Sequence, residues 1–231
     1  MVAADTELIA ALRAALAAAG DPQKAAGQQK YMKSELPYYG LPAPRFKAET
    51  RPLLKAWRPA SREQWEATIR TLWDEVTHRE EWYAAIGVAQ LPLAREWLDV
   101  DSLDLWRHLI VTGAWWDVVD EVSANLVGAV LAGHRSEATP LVRAWAADDD
   151  LWLRRCSIIC QLLHKADTDL DLLTYAIEQN VDDTSFWLRK AIGWALRQHA
   201  RTDPEWVRTE VVRLGDRLSG LSRREALKHL T

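Results

Sequence analysis

A chain of 231 residues, 48% of them hydrophobic, has room for one large domain or two small ones around a substantial core. Its net charge of −4 argues against a strongly basic nucleic-acid binder unless the 29 lysines and arginines are segregated. Its two cysteines, Cys156 and Cys160, sit one helical turn apart, which is poor disulfide geometry and too few ligands for a metal; they read as half-buried free thiols in a reducing compartment.

Almost every segment carries helical periodicity. The N-terminus has early acids and an arginine inside its apolar stretch, unlike a secretion signal. No run approaches ~18 apolar residues, so no membrane span is expected and the protein should be cytoplasmic. Ala3 to Ala19 is an amphipathic helix stopped by Gly20, and Asp21-Pro22 can open the next. Leu36 to Pro44 holds three prolines and a glycine and is expected to be irregular. Ser61 to Gln64 fits a capping box, as does Ser222 to Glu225. Between them the spacing predicts helices over 65–76, 80–90, 102–111, 115–131, 138–147, 151–163, 170–178, 185–200 and 205–218. No convincing alternating strand occurs.

These helices come in pairs. The chain has 13 tryptophans, and Trp82, Trp116, Trp152 and Trp187 recur at intervals of 34, 36 and 35 residues. The last two open similar strings, W-L-R-R and W-L-R-K. A helix pair repeating every ~35–45 residues predicts an all-α fold, an α-solenoid of HEAT-like repeats forming a single domain over 1–231. The second helices of the pairs should line one concave surface.

Those second helices carry anomalous residues. In T-G-A-W-W-D-V-V-D-E-V, Trp115, Val118, Val119, Val122 and Leu126 form a core stripe, whereas Trp116, Asp120 and Ser123 form another. Trp116 either packs on a neighbouring repeat or faces the groove with Asp120. Arg155 is the one charge in the row Leu151, Arg155, Ile158 and Leu162. It either meets a ligand or ties down an acid such as Asp120. Lys190, Trp194, Arg197 and Arg201 share a face, apart from the core stripe of Leu188, Ile192 and Ala195. A basic stripe with an aromatic inside suits a nucleic-acid backbone. Further cations cluster at Lys24 to Lys47 and at Arg213 to Lys228, while acids concentrate at 74–81 and 148–150. A carboxylate in a phosphate-binding groove would repel phosphate. It makes sense if the substrate is cationic or becomes so in its transition state, as in cleavage of an N-glycosidic bond.

The motif W-W-D-V-V-D at Trp115–Asp120, L-W-L-R-R at Leu151–Arg155 and F-W-L-R-K-A-I-G-W-A-L-R at Phe186–Arg197 closely resemble the AlkD-like family of DNA alkylation repair glycosylases. The likeness extends to K-Y-M-K and to G-L-P-A-P-R at Gly40–Arg45. It implies a HEAT-like glycosylase removing N3- and N7-alkylated purines from duplex DNA without a base-flipping pocket. Trp116 and Trp194 then contact the lesion's deoxyribose, Asp120 lies near its anomeric carbon, and Arg155 contacts the backbone. Asp120, Trp116, Trp194 and Arg155 are thus the catalytic candidates. Lys190, Arg197, Arg201 and Arg154 are DNA-binding candidates, with Tyr31, Lys33 and Arg45 for the opposite strand. No Schiff-base lysine is apparent, so the enzyme should be monofunctional; no metal or cofactor is implied, and a monomer is expected. The rival readings are a HEAT-like DNA-binding module without chemistry and a protein–protein scaffold.

Overall fold

The computed structural model describes residues 3–230, and every regular element among them is helical. The fold is an α-solenoid class of stacked helix pairs. By contact the chain divides into two compact units, Met1–Trp97 and Leu98–Thr231. No helix among the described residues is long and apolar enough to cross a membrane.

The first unit holds α1 (Thr6–Ala18), α2 (Pro22–Met32), α3 (Ala43–Ala56), α4 (Arg62–Asp74) and α5 (Arg79–Ala89). Leu8, Leu12 and Leu16 recur at one-turn intervals on α1 and are buried, as are Trp65, Ile69, Leu72 and Trp73 of α4. Asp5 caps α1 by accepting from the Leu8 amide, and it also accepts from the Trp57 indole at 2.8 Å. The Ser61 cap forms as expected, with its hydroxyl accepting from the Gln64 amide while Gln64 accepts from the amide of Ala60. The α3 helix was not foreseen: Pro44 closed the stretch expected to be irregular, and no helix was assigned to the residues after it. Pro44 instead occupies its first turn, where no amide donor is needed, and Pro52 is accommodated inside the helix.

The irregular segment before α3 is held by one of the acids concentrated at 74–81. Glu80 is fully buried, and its carboxylate accepts from the amides of Tyr39, Gly40 and Leu41 at 2.9 to 3.2 Å. Glu81 beside it is also buried and accepts from Arg13 and from the Tyr39 hydroxyl. Gly40 has φ +93°, and a Cβ there would lie 2.1 Å from the Asp21 carbonyl, so only glycine fits. Glu80→Ala leaves three amides, two of them buried, without this acceptor and should cost about 3 kcal/mol, read as a lowered urea midpoint.

The second unit holds α6 (Leu103–Gly113), α7 (Trp116–Glu121), α8 (Gly128–Gly133), α9 (Arg135–Ala146), α10 (Leu151–Ile159), α11 (Leu170–Asn180), α12 (Phe186–His199), α13 (Pro204–Leu214) and α14 (Gly220–Ala226). Between α7 and α8 the backbone runs on as a π-helical stretch, Val122–Val127. The helix expected over 115–131 is therefore continuous but widened at its centre, a local feature that hydrophobic spacing does not reveal. Gly128 follows it, and a Cβ there would stand 2.4 Å from the Cys160 carbonyl, so α8 and the end of α10 touch through backbone. Both cysteines are fully buried rather than half-buried, and burial pushes the Cys156 thiol up to about 12.

The repeat is visible in the ion pairs. Asp120–Arg155, Glu178–Arg213, Asp182–Arg217 and Lys190–Glu225 each join residues 35 apart, so each bond spans one repeat. The tryptophans tell the same story: the rings of Trp152 and Trp187 lie 5.4 Å apart, and Trp115 packs against both.

Candidate active site

The start of α7 separates the adjacent tryptophans. Ala114 adopts a left-handed conformation with φ 38° and ends α6, and Trp115 is extended with φ −152°. Trp115 is thus the residue before the helix rather than part of its core stripe, and its ring joins Trp152 and Trp187. Trp116 is the first residue of α7, and Asp120 follows one turn later on the same side. Val118, Val119, Val122 and Leu126 are fully buried as expected, whereas Ser123 is buried too and donates to the Val119 carbonyl.

Arg155 enters from α10 and is only 3% exposed. Its Nε donates to Asp120 Oδ1 at 2.7 Å and its Nη2 to Oδ2 at 2.8 Å, a two-pronged grip on the carboxylate. Its Nη1 donates to the Trp187 carbonyl at 2.6 Å. Of the two roles open to Arg155, the geometry favours tying down Asp120: buried and committed to these acceptors, it does not present a free guanidinium to a DNA backbone. One arginine thereby links α7, α10 and α12.

Trp194 arrives on α12 directly after Gly193. A Cβ at Gly193 would lie 2.6 Å from Glu225 Cβ, so its absence lets α14 sit hard against α12. Trp194 packs on the apolar core of this unit and still reaches a cleft of about 390 Å³ that Trp116 and Asp120 also line. Asp117, Glu121, Asn125 and Gln198 contribute polar groups to the same cleft, and no lysine or arginine lines it. Burial raises the Asp120 carboxyl above its ordinary range; the Arg155 hydrogen bonds and charge oppose that rise, and Asp117 and Glu121 add to it. Two aromatic faces and a fixed carboxylate make a place that favours positive charge.

Comparison with known proteins bears on what this cleft belongs to. No curated protein matches the chain. A family model described as DNA alkylation repair enzyme matches residues 12–230, across both compact units. A solved structure of a predicted DNA alkylation repair enzyme from Enterococcus faecalis is 32% identical, with a TM-score of 0.81, over 92% of this chain and 97% of that one. The chain belongs to the DNA alkylation repair enzyme family.

In this family member the cations singled out in the sequence are differently disposed. Lys190 donates to Glu225 at 2.7 Å and Arg197 pairs with the same carboxylate, so the stripe that seemed free of acids is partly neutralised from α14. The Lys190 hydrogen bond, foremost, holds Glu225 below the usual carboxylate range. Arg154 is paired with Asp183 and is not free for a backbone contact. Arg213 and Arg217 are engaged by Glu178, Glu210 and Asp182. Arg201 is exposed and makes no ion pair among the described residues. In the first unit Tyr31 is 77% exposed, Lys33 is exposed at the left-handed end of α2, and Arg45 is exposed but paired with Glu49. Sequence reasoning missed Glu225 because it assigned that residue to a capping box. The real cap of α14 is Ser219, which accepts from the Ser222 amide, and Ser222 donates across to the Arg189 carbonyl. It also passed over Asp117 and Glu121, whose spacing of one turn or less from Asp120 was the available signal.

Proposed function

We propose that the protein is a monofunctional DNA glycosylase that hydrolyses the N-glycosidic bond of cationic N3- or N7-alkylated purines in duplex DNA, acting as a monomer and without a base-flipping pocket. The observation that carries this reading is a carboxylate, gripped by a buried arginine, in a cleft lined by two tryptophans and by no cation. The C1′–N bond breaks with its electron pair moving to the base, which leaves neutral because it entered positively charged. The positive charge passes to the sugar as an oxocarbenium. Asp120 stabilises that charge and orients water, whose oxygen bonds to C1′ as a proton leaves to the carboxylate or solvent. The indole faces of Trp116 and Trp194 favour the cation on either molecule. An abasic site remains in an uncut strand. A preorganised charge of this kind contributes on the order of 3–4 kcal/mol.

A binding module without chemistry would use the basic stripe and leave Asp120 idle. The Glu225 pairing weakens that alternative, because it occupies two of the stripe's cations. The deciding experiment is incubation with methylated duplex DNA, with released bases read by chromatography. Free 3-methyladenine or 7-methylguanine, with strands nicked only after abasic-site cleavage, is the expected result; no released base would remove the assignment. Glu225→Gln should free Lys190 and Arg197, tighten binding to unmodified duplex and steepen its logarithmic salt dependence by about 1 to 2. Fluorescence anisotropy across a salt series measures it, and an unchanged slope would mean that these cations do not meet the backbone.

A further inference from the structure

A second cavity, of about 270 Å³, adjoins the acidic cleft and shares Leu162 and Gln198 with it. Its chemistry is the reverse. Lys165, His199 and Arg201 line it, with the hydroxyls of Thr168 and Thr202, and no carboxylate does. Lys165 and Arg201 are exposed and make no ion pair among the described residues. His199 is 7% exposed, yet neither ring nitrogen has a hydrogen-bond partner. Its ring stands edge-on to Trp206 at 5.2 Å, which fixes its orientation without satisfying its polar atoms. Leaving such groups unsatisfied costs on the order of 1–3 kcal/mol, so the ring is open to a partner from the cavity, water or a ligand. Lys165 is also held at φ +54°, a conformation that costs a lysine free energy and that the turn Lys165–Asp167 imposes.

We infer that this cavity binds a phosphate, and that its occupant is one backbone phosphate of the DNA whose lesion lies in the neighbouring cleft. Two cations answer the charge of the phosphodiester. A His199 N–H and the Thr202 hydroxyl supply directional donors to its oxygens, whereas the Thr168 hydroxyl already donates to the Lys165 carbonyl at 2.8 Å. The space equals about nine water volumes at ~30 Å³ each, enough for the phosphate with part of its hydration. Burial holds the imidazole below its usual value, against the pull of Asp203, so His199 donates from its neutral form until an anion arrives. The two cavities together form a bipolar surface: the carboxylates attract the cationic base and sugar, and the adjacent cations keep the strand's own negative charge off them. This assignment rests on the DNA reading of the cleft.

The test replaces single phosphates of a methylated duplex with uncharged methylphosphonates and compares wild type with Arg201→Gln, which removes an exposed side chain and spares the core. One position is expected to weaken wild-type binding severalfold and to leave the variant unaffected, with the variant's logarithmic salt slope lower by about 0.9. If every position weakens both proteins alike, no backbone phosphate enters the cavity. Inorganic phosphate is added separately while the His199 ring is followed by NMR. Saturable shifts, weakened in Arg201→Gln, support a phosphate site; no shift together with an unchanged slope overturns the proposal. Base release by the wild-type protein reads the glycosylase assignment independently. Saturable His199 shifts in a protein that neither binds duplex nor releases bases would mark a free-phosphate site and reject the backbone occupant.

Discussion

Asp120→Asn is expected to slow release of 7-methylguanine by about 10²–10³-fold while duplex affinity stays equal or rises. The change is nearly isosteric and removes one negative charge from the cleft, so the oxocarbenium loses its fixed counter-charge and the DNA backbone loses a source of repulsion. Arg155 complicates the variant. Its guanidinium is buried and would face an amide instead of a carboxylate. Breaking a buried pair in this way costs up to about 3–5 kcal/mol, so the rate belongs at a temperature where circular dichroism shows the variant folded. A folded Asp120→Asn protein with wild-type excision would remove the carboxylate from the mechanism.

Arg155→Lys should lower the excision rate constant at least tenfold and move its acid limb to higher pH. One ammonium cannot reproduce both bonds to Asp120 and the third to the Trp187 carbonyl. In the proposed mechanism Asp120 works as an anion, so activity is expected to fall as pH drops through its folded pKa. That pKa is already raised by burial, and Arg155 is what restrains it. Weakening the restraint raises it further. The same sign governs stability: the native state holds the Asp120 proton more tightly than the unfolded chain does, so ionising it costs stability above that pKa, a cost the guanidinium offsets. Because Arg155 touches Asp120 and not the cleft, the concentration of DNA giving half-maximal rate should barely change. A fall in rate with no displacement of the pH profile would make its role purely one of folding.

Helical phase was legible from the residues, because a side chain's direction on a helix follows from its number. Trp116 and Asp120 were placed on a stripe apart from the valines, and the structure sets both on one cleft with Trp194. The 35-residue period was equally legible from four tryptophans. Pairing was not. Whether Lys190 and Arg197 are free depends on how close α14 lies, and that is decided by the missing side chain at Gly193. The burial of Glu80 was not legible either, because its partners are main-chain amides, which no residue type announces. The π-helical widening after Glu121 and the unsatisfied ring of His199 likewise arise only once helices are packed.

The bonds that span one repeat set different rules for two kinds of sequence change. Asp120 and Arg155 meet because α7 and α10 present them at matching rotations. A residue inserted within α10 before Arg155 would turn that side chain by about 100° and carry it away from the carboxylate. A residue inserted in the turn after Ala146 leaves both rotations intact and is absorbed by the connection. Evolutionary drift in length should therefore collect between the helices of the second unit, and the helices themselves should hold their count even where every side chain facing solvent has been exchanged.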